Sequence, residues 1–313
     1  MPAIQIQVNN RSLPVSNLEK ILWPDEKITK AEVLHYYTQV APYLLPHLRD
    51  RPIVMVRYPE GITGEYFYQK ECPDYAPEWV PTVGLEHSGG KRVNYCLCPN
   101  LETLLWMANQ AVLEIHPWLS RYQQEAYPDF MVLDLDPDPP STLQNTIPLA
   151  LILNELLDQF GLQSFVKTSG ATGLHLFVPV IPQYPYPVIT EGAGYLARLV
   201  AAAYPEQATV EHLVRKRKGR VYIDYLQNGR GKTLAAVYGL RPLAGAPVSM
   251  PLTWDELKSA SFRKQLQPQN YNWQTAMLRL TQTGDIFAPV LTFKQDLTRL
   301  LKVSRGRRSE KSN

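Results

Sequence analysis

The chain has 313 residues, enough for one large domain or two intimate smaller ones with a buried core. Its apolar fraction of 45% suits an ordinary water-soluble protein, and no apolar run reaches the ~18 residues of a membrane span, so no membrane-spanning helix is expected. A net charge of +3 does not by itself announce a polyanion partner. The opening MPAIQIQVNN lacks the basic start and apolar block of a secretory signal, and three cysteines cannot all pair with one another, so a reducing cytoplasm is the expected setting.

In chain order, Ile4, Ile6 and Val8 alternate ahead of a turn at Asn9-Asn10, which predicts an edge hairpin. Two capping boxes follow, Ser16-Asn17-Leu18-Glu19 and Thr29-Lys30-Ala31-Glu32, each predicting a helix start, the second helix running to about Leu48. Pro52 to Tyr58 is a strand, and 59–99, rich in Gly, Pro and Tyr, predicts loops and a long hairpin with a polar tip at Ser88-Gly89-Gly90-Lys91. Asn100 would cap a helix running to Ile115. Pro128 to Asp136 is a strand, and Gln144 to Phe160 is a helix closed by Gly161. Strands at Ser164–Thr168 and Leu174–Val180 flank the turn Ser169-Gly170-Ala171-Thr172-Gly173. A helix over Val188–Ala203, strands at Val221–Leu226 and Thr233–Tyr238, and a mainly helical last third complete an α+β pattern with a mixed or antiparallel sheet. The segment Arg215-Lys216-Arg217-Lys218-Gly219-Arg220 and the tail from Lys302 to Lys311 are densely basic; each is either a solvated surface or a phosphate-binding one.

Asp134 and Asp136, in Met131-Val132-Leu133-Asp134-Leu135-Asp136-Pro137, point to one side of their strand. Two neighbouring carboxylates repel each other unless solvent or a hard divalent cation separates them, and the motif alone leaves both options open. A third acid, Asp224, occupies another strand, which makes a two-metal phosphoryl-transfer site plausible. His175 follows the glycine turn, where Gly170 and Gly173 allow close backbone approach, and both it and Ser169 could donate to a phosphate. Gly229-Arg230-Gly231-Lys232-Thr233 fails as a P-loop because position 226 is Leu, and Cys72, Cys96-x-Cys98 and His87 match no common zinc spacing.

The ordered set Asp-Leu-Asp-Pro, Ser-Gly-x-x-Gly-Leu-His-Leu and Asp-Tyr-Leu-Gln-Asn resembles the polymerase domain of bacterial ligase D, of the archaeo-eukaryotic primase superfamily. The resemblance extends over nearly the whole chain, from Asn17-Leu-Glu-Lys20-Ile-Leu-Trp-Pro24 through Arg51-Pro52, Arg57-Tyr58-Pro59 and Glu114-Ile-His116-Pro117-Trp118 to Arg241-Pro242. It implies a primase-polymerase fold, with one domain over 1–303, a 5′-phosphate pocket within 1–60, and 304–313 as a basic flexible tail. By the same resemblance Asp134, Asp136 and Asp224 hold two manganese or magnesium ions. Ser169, His175, Gln227, Lys232, Arg241 and His116 meet the incoming rNTP or dNTP, with His175 also counted as catalytic. Asn17, Lys20 and Lys30 take the DNA 5′-phosphate, Phe67 and Tyr68 stack on template bases, and Arg51, Arg57, Arg215, Arg217 and Arg220 join the DNA-contacting set. Residues 84–98 and 212–220 fall where the family has surface loops near DNA ends. Many relatives carry a basic residue where this chain has Thr172.

The implied activity is template-directed nucleotidyl transfer to a 3′-hydroxyl at gaps and double-strand-break ends in non-homologous end joining, by a cytoplasmic, nucleoid-associated protein. Ku and a separate ATP-dependent DNA ligase are the implied partners, since no Lys-x-Asp-Gly ligase motif is present. Two alternatives stay open. One is a stand-alone primase or short-gap excision-repair polymerase; the other is a non-catalytic DNA-end bridging module that needs only its Lys and Arg contacts.

Overall fold

The computed structural model describes residues 4–86, 90–263 and 266–310. In chain order these form β1 (Ile4–Val8), β2 (Arg11–Val15), β3 (Ile21–Trp23), β4 (Ile28–Thr29), α1 (Lys30–Leu48), β5 (Ile53–Arg57), β6 (Phe67–Gln69), β7 (Thr82–Glu86), β8 (Arg92–Cys96), α2 (Leu101–Asn109) and β9 (Val112–Pro117). There follow β10 (Phe130–Pro137), α3 (Leu143–Gln159), β11 (Phe165–Thr168), β12 (Leu174–Pro179), α4 (Tyr186–Ala203), β13 (Ala208–Thr209), α5 (Val214–Arg217), β14 (Val221–Asp224) and β15 (Pro251–Leu252), then α6 (Trp254–Arg263), α7 (Trp273–Thr283) and α8 (Thr298–Glu310). The architecture is α+β. The contacts divide it into two compact units that interleave along the chain: Met1–Gln123 with Thr233–Ser249 and Tyr271–Asp285, and Gln124–Lys232 with Met250–Asn270 and Ile286–Asn313.

The first unit is built on an antiparallel sheet, β6-β5-β8-β7, with β9 also on β5. Here Thr29 caps α1 as its sequence promised: its hydroxyl accepts the Glu32 amide and Glu32 returns to the Thr29 amide. The earlier box at Ser16–Glu19 opens no helix. Asn17 adopts φ +53°, which breaks right-handed propagation, and the chain turns directly into the β3–β4 hairpin. Asn100 caps α2 as expected, but α2 stops at Asn109 rather than Ile115. Ala111 turns left-handed at φ +57°, and 112–117 pair with β5; the free edge of β5 outweighs the helical spacing of the apolar residues. Thr233–Tyr238 is likewise not a strand. It makes one bridge, Trp118 to Thr233, and runs as buried irregular chain with Tyr238 at φ +62°.

The second unit is built on a mixed sheet, β13-β14-β10-β12-β11-β15, in which only β13 and β14 run parallel. Gly192 of α4 faces the sulfur of Met131, so α4 covers the side of β10 that carries Met131, Leu133 and Leu135. Asp134 and Asp136 are therefore on the other side. One end of that side is closed by edge-to-face contacts among Phe130, Phe177, Phe165 and Phe287, which leaves the carboxylate end distinct from an aromatic end. The basic stretch expected to be a flexible tail from 304 continues α8 to Glu310. Buried Leu300, Leu301 and Ser304 anchor that helix, and Arg305 pairs with Glu191 of α4. Residues 311–313, His87, and Ser88 and Gly89 of the expected hairpin tip lie outside the described residues. No helix among the described residues is long and apolar enough to cross a membrane.

Candidate active site

The register of the second sheet sets a single transverse row. Asp224 of β14 lies opposite Asp134 of β10, Asp134 opposite His175 of β12, and His175 opposite Lys167 of β11. Residues directly opposite across a sheet share a face, so the row runs from two carboxylates through an imidazole to an ammonium. All four are buried. His175 Nε2 is 3.3 Å from Asp134 Oδ1, and Lys167 Nζ is 2.8 Å from His175 Nδ1. A protonated lysine only donates, which makes Nδ1 the acceptor and puts the ring proton on Nε2. In the next row Asp136 lies opposite Tyr222, whose hydroxyl donates to Asp224 Oδ1 at 3.0 Å; the Leu226 amide donates to the same oxygen at 2.8 Å. Burial, and then the Asp224 charge, push the Tyr222 phenol well above its ordinary range, so it stays a neutral donor.

The turn after β11 is shaped by its glycines and by Ser169. The Ser169 hydroxyl oxygen accepts the amides of Ala171 and Gly173 at 3.1 and 3.0 Å, and Gly170 has φ +74°. A side chain at Gly173 would lie 2.2 Å from the Leu135 carbonyl oxygen and 3.4 Å from Asp136 Oδ1, so only glycine lets this turn pack against the carboxylate strand. Thr172, the departure from many relatives, is exposed at the tip.

The three carboxylates thus reach one face of one sheet, and as hard oxygen donors they suit divalent magnesium or manganese. Among the described residues they are not closed into a ready three-ligand cluster, nor is any other group of His, Cys, Asp or Glu. The three cysteines are buried thiols, with Cys72 and Cys96 in direct sulfur contact.

The basic segment of this unit forms α5 and a left-handed turn at Lys218 and Gly219. Asp138 accepts the Gly219 amide and Ser141 donates to the Gly219 carbonyl oxygen, which ties the segment to the end of β10. Arg215 is exposed; Arg217 lies over the Tyr222 ring and Arg220 donates to the Arg217, Pro205 and Lys216 carbonyls. Gln227 is half-buried and Lys232 exposed.

In the first unit, Asn17 is exposed, Lys20 pairs with Glu60 at 2.8 Å, and buried Lys30 donates to the Ser16 carbonyl at 2.8 Å. Burial first, then the charges of Lys20 and Arg57, lower the Lys30 ammonium to about 8. Phe67 and Tyr68 are exposed on β6. Arg57 is half-buried: it donates to Gln110 and Gln69 and lies over the Phe67 ring. Arg51 departs from its expected DNA-contacting role. It is 1% exposed and donates to the Trp118 carbonyl, because the chain after α1 turns inward there and a buried guanidinium must find acceptors.

His116 and Arg241 come together through a residue that the motif reading did not assign. Glu114 Oε2 is 2.8 Å from His116 Nε2 and 3.1 Å from Arg241 Nε, and Oε1 accepts the Tyr58 hydroxyl at 3.2 Å. Burial alone would raise the Glu114 carboxyl, but the His116 hydrogen bond and the Arg241 charge outweigh it, and the group lies below the usual carboxylate range. Glu114 sits inside a quoted motif and Lys167 inside the predicted strand Ser164–Thr168. A charged residue inside an otherwise apolar strand was the available signal for each.

Comparison with known proteins gives the family. The family model of the LigD primase-polymerase domain matches residues 29–287. The LigD protein of Bacillus subtilis, a bifunctional non-homologous end joining protein, is 33% identical over 93% of this chain and 47% of its own length; that of Mycolicibacterium smegmatis is 33% identical over 88% of this chain and 36% of its own. The chain therefore spans about half or less of these relatives. A solved polymerase domain from Mycobacterium tuberculosis ligase D, in complex with DNA, superposes with a TM-score of 0.83 at 28% identity, covering 90% of this chain and 99% of that one. With the carboxylate row, the Ser-Gly turn and the matched model spanning most of its length, the chain belongs to the LigD primase-polymerase domain family.

Proposed function

We propose that this protein is a DNA-repair nucleotidyltransferase that adds ribo- or deoxyribonucleotides, directed by a template, to a 3′-hydroxyl at gaps and broken ends in non-homologous end joining. The observation that carries this reading is the cross-sheet row Asp224–Asp134–His175, with Asp136 on the same face. Asp134, Asp136 and Asp224 would hold two divalent ions, manganese or magnesium, which when bound lower the pKa of the attacking hydroxyl and offset charge on the triphosphate. His175, held with its proton on Nε2, donates to a phosphate oxygen, and Ser169 with its glycine turn fits close approach of the triphosphate. Lys232, Arg241, His116 and Gln227 complete the nucleotide contacts. Asn17, Lys20 and Lys30 take the downstream 5′-phosphate, Phe67 and Tyr68 stack on bases, and Arg57, Arg215, Arg217 and Arg220 follow the DNA backbone. Ku and a DNA ligase activity are the expected partners, and the nucleoid the expected location.

The experiment supplies the protein with a gapped duplex bearing a 5′-phosphate, manganese, and rNTPs or dNTPs, and repeats it with Asp134→Ala. Templated extension that the variant loses supports the reading. Extension by the variant at the parental rate removes the carboxylate assignment, and end bridging without any extension by the parent favours the non-catalytic alternative.

A further inference from the structure

The hub around Glu114 is what the catalytic row does not account for. Glu114 and His116 alternate on β9, opposite Val56 and Val54 of β5, so both side chains leave the same face of the first sheet. Glu114 is 5% exposed and His116 8%. One carboxylate oxygen meets both His116 Nε2 and Arg241 Nε, and the other takes the Tyr58 hydroxyl. A carboxylate this deep is costly unless its partners are fixed, and here the partners connect to an exposed aromatic surface. Tyr58 stacks on Tyr66 at 5.1 Å with the rings 15° apart, and His116 meets the edge of Tyr68 at 6.3 Å. Tyr66 and Tyr68 are 55% and 60% exposed and touch each other edge to face. An imidazole and a guanidinium beside open aromatic faces match the phosphate and base of a nucleotide.

We propose that Glu114 is the positioning residue of this surface: it fixes the His116 ring and the Arg241 guanidinium in the one relative placement that receives the incoming nucleoside triphosphate. The inference rests on the proposal that His116 and Arg241 meet the nucleotide. Glu114 itself does not touch it. A carboxylate only accepts, so Glu114 turns the N–H at His116 Nε2 toward itself, and its charge keeps the Arg241 guanidinium 3.1 Å away. The same carboxylate offsets the Arg241 charge, so nucleotide affinity comes from placement more than from net charge. Without Glu114 two nucleotide contacts would remain chemically intact and lose their common geometry.

The test compares the full-length protein with Glu114→Gln, which keeps shape and loses charge, and Glu114→Asp, which keeps charge on a shorter stem. Extension of a gapped, 5′-phosphorylated duplex with manganese and ATP opposite dT is followed at varied ATP. For Glu114→Gln the expected result is a rise in KM of about tenfold, with kcat within threefold and DNA affinity unchanged; for Glu114→Asp, partial restoration of KM. If Glu114→Gln does not fold, Glu114→Asp carries the test alone, with a rise in KM of about threefold expected. A folded Glu114→Gln protein, or in its place Glu114→Asp, whose KM equals that of the parent overturns the proposal. Equilibrium binding of ATP with manganese is measured in parallel and needs no catalysis. A parent that binds ATP but extends nothing fails the polymerase reading and leaves this one standing on the binding shift; a parent that binds no ATP overturns both.

Discussion

The two sheets handle buried charge in opposite ways. In the first unit Glu114 is surrounded by groups that complement it: an imidazole N–H, a guanidinium and a phenol. In the second unit the register sets Asp134 against Asp224, like against like, with Asp136 on the same face and the balancing cation, Lys167, at the far end of the row beyond His175. The first arrangement is electrostatically self-sufficient and costs little to keep. The second gathers three carboxylates on one face, a donor set of the hard oxygen kind that divalent cations prefer. A buried acid's neighbours, more than its burial, separate a supporting residue from a reactive one.

The largest effect that would test this contrast is on rate. Asp134→Ala should lower primer extension by a thousandfold or more, and thermal melting in metal-free buffer should show a midpoint unchanged or raised, because a repulsive pair has been removed. A lower midpoint would mean that the carboxylates stabilise each other's surroundings and that the contrast is false. Next comes Glu114→Ala, which strands Arg241 and His116 without their counter-ion. The expected cost is about 3–5 kcal/mol in chemical denaturation at neutral pH, opposite in sign to the Asp134 variant. Equal stability of the two variants would mean that the two sheets hold their carboxylates alike.

A smaller effect concerns the buried ammonium of Lys30 in the first unit. Lys30 is lowered to about 8, so it is mostly charged at pH 7 and mostly neutral at pH 9. Affinity for a downstream 5′-phosphate over a 5′-hydroxyl should therefore fall as pH rises through 8, in titrations at fixed salt, and Lys30→Arg should flatten that fall. A phosphate preference constant from pH 7 to 9 in the parent would detach Lys30 from the pocket. The smallest is Tyr68→Ala, expected to weaken single-stranded template binding by about 1–3 kcal/mol, with the salt dependence unchanged, since a stacking face and not a charge is lost. A shallower salt slope would show that the change acts through a cation instead.

Local chemistry was legible wherever the deciding partner lay within a few residues. The Asn9-Asn10 hairpin, the Thr29–Glu32 capping box, the Asn100 cap and the shared face of Asp134 and Asp136 all depend on contacts one to four positions apart. Ser16–Glu19 carried the same capping letters and formed no helix, because Asn17 turned left-handed and a strand pair followed. Residues 112–117 carried helical spacing and became β9, because β5 offered an edge that no local pattern announces. Arg51 looked like a nucleic-acid contact by type and proved to be an interior one.

By itself the sequence determined which residues could do chemistry and their order, Asp134-Asp136, Ser169-His175, Asp224, because alternation and turn composition are properties of a few consecutive side chains. Only the tertiary structure decided that Asp224 faces Asp134, that Lys167 stands behind His175, and that Glu114 grips Arg241. Those pairings are set by strand register and by chain segments far apart in sequence. A one-residue slip would turn each of the strand residues to the other face, so the buried apolar side of the sheet, packed against α4, is what holds the charged side in line.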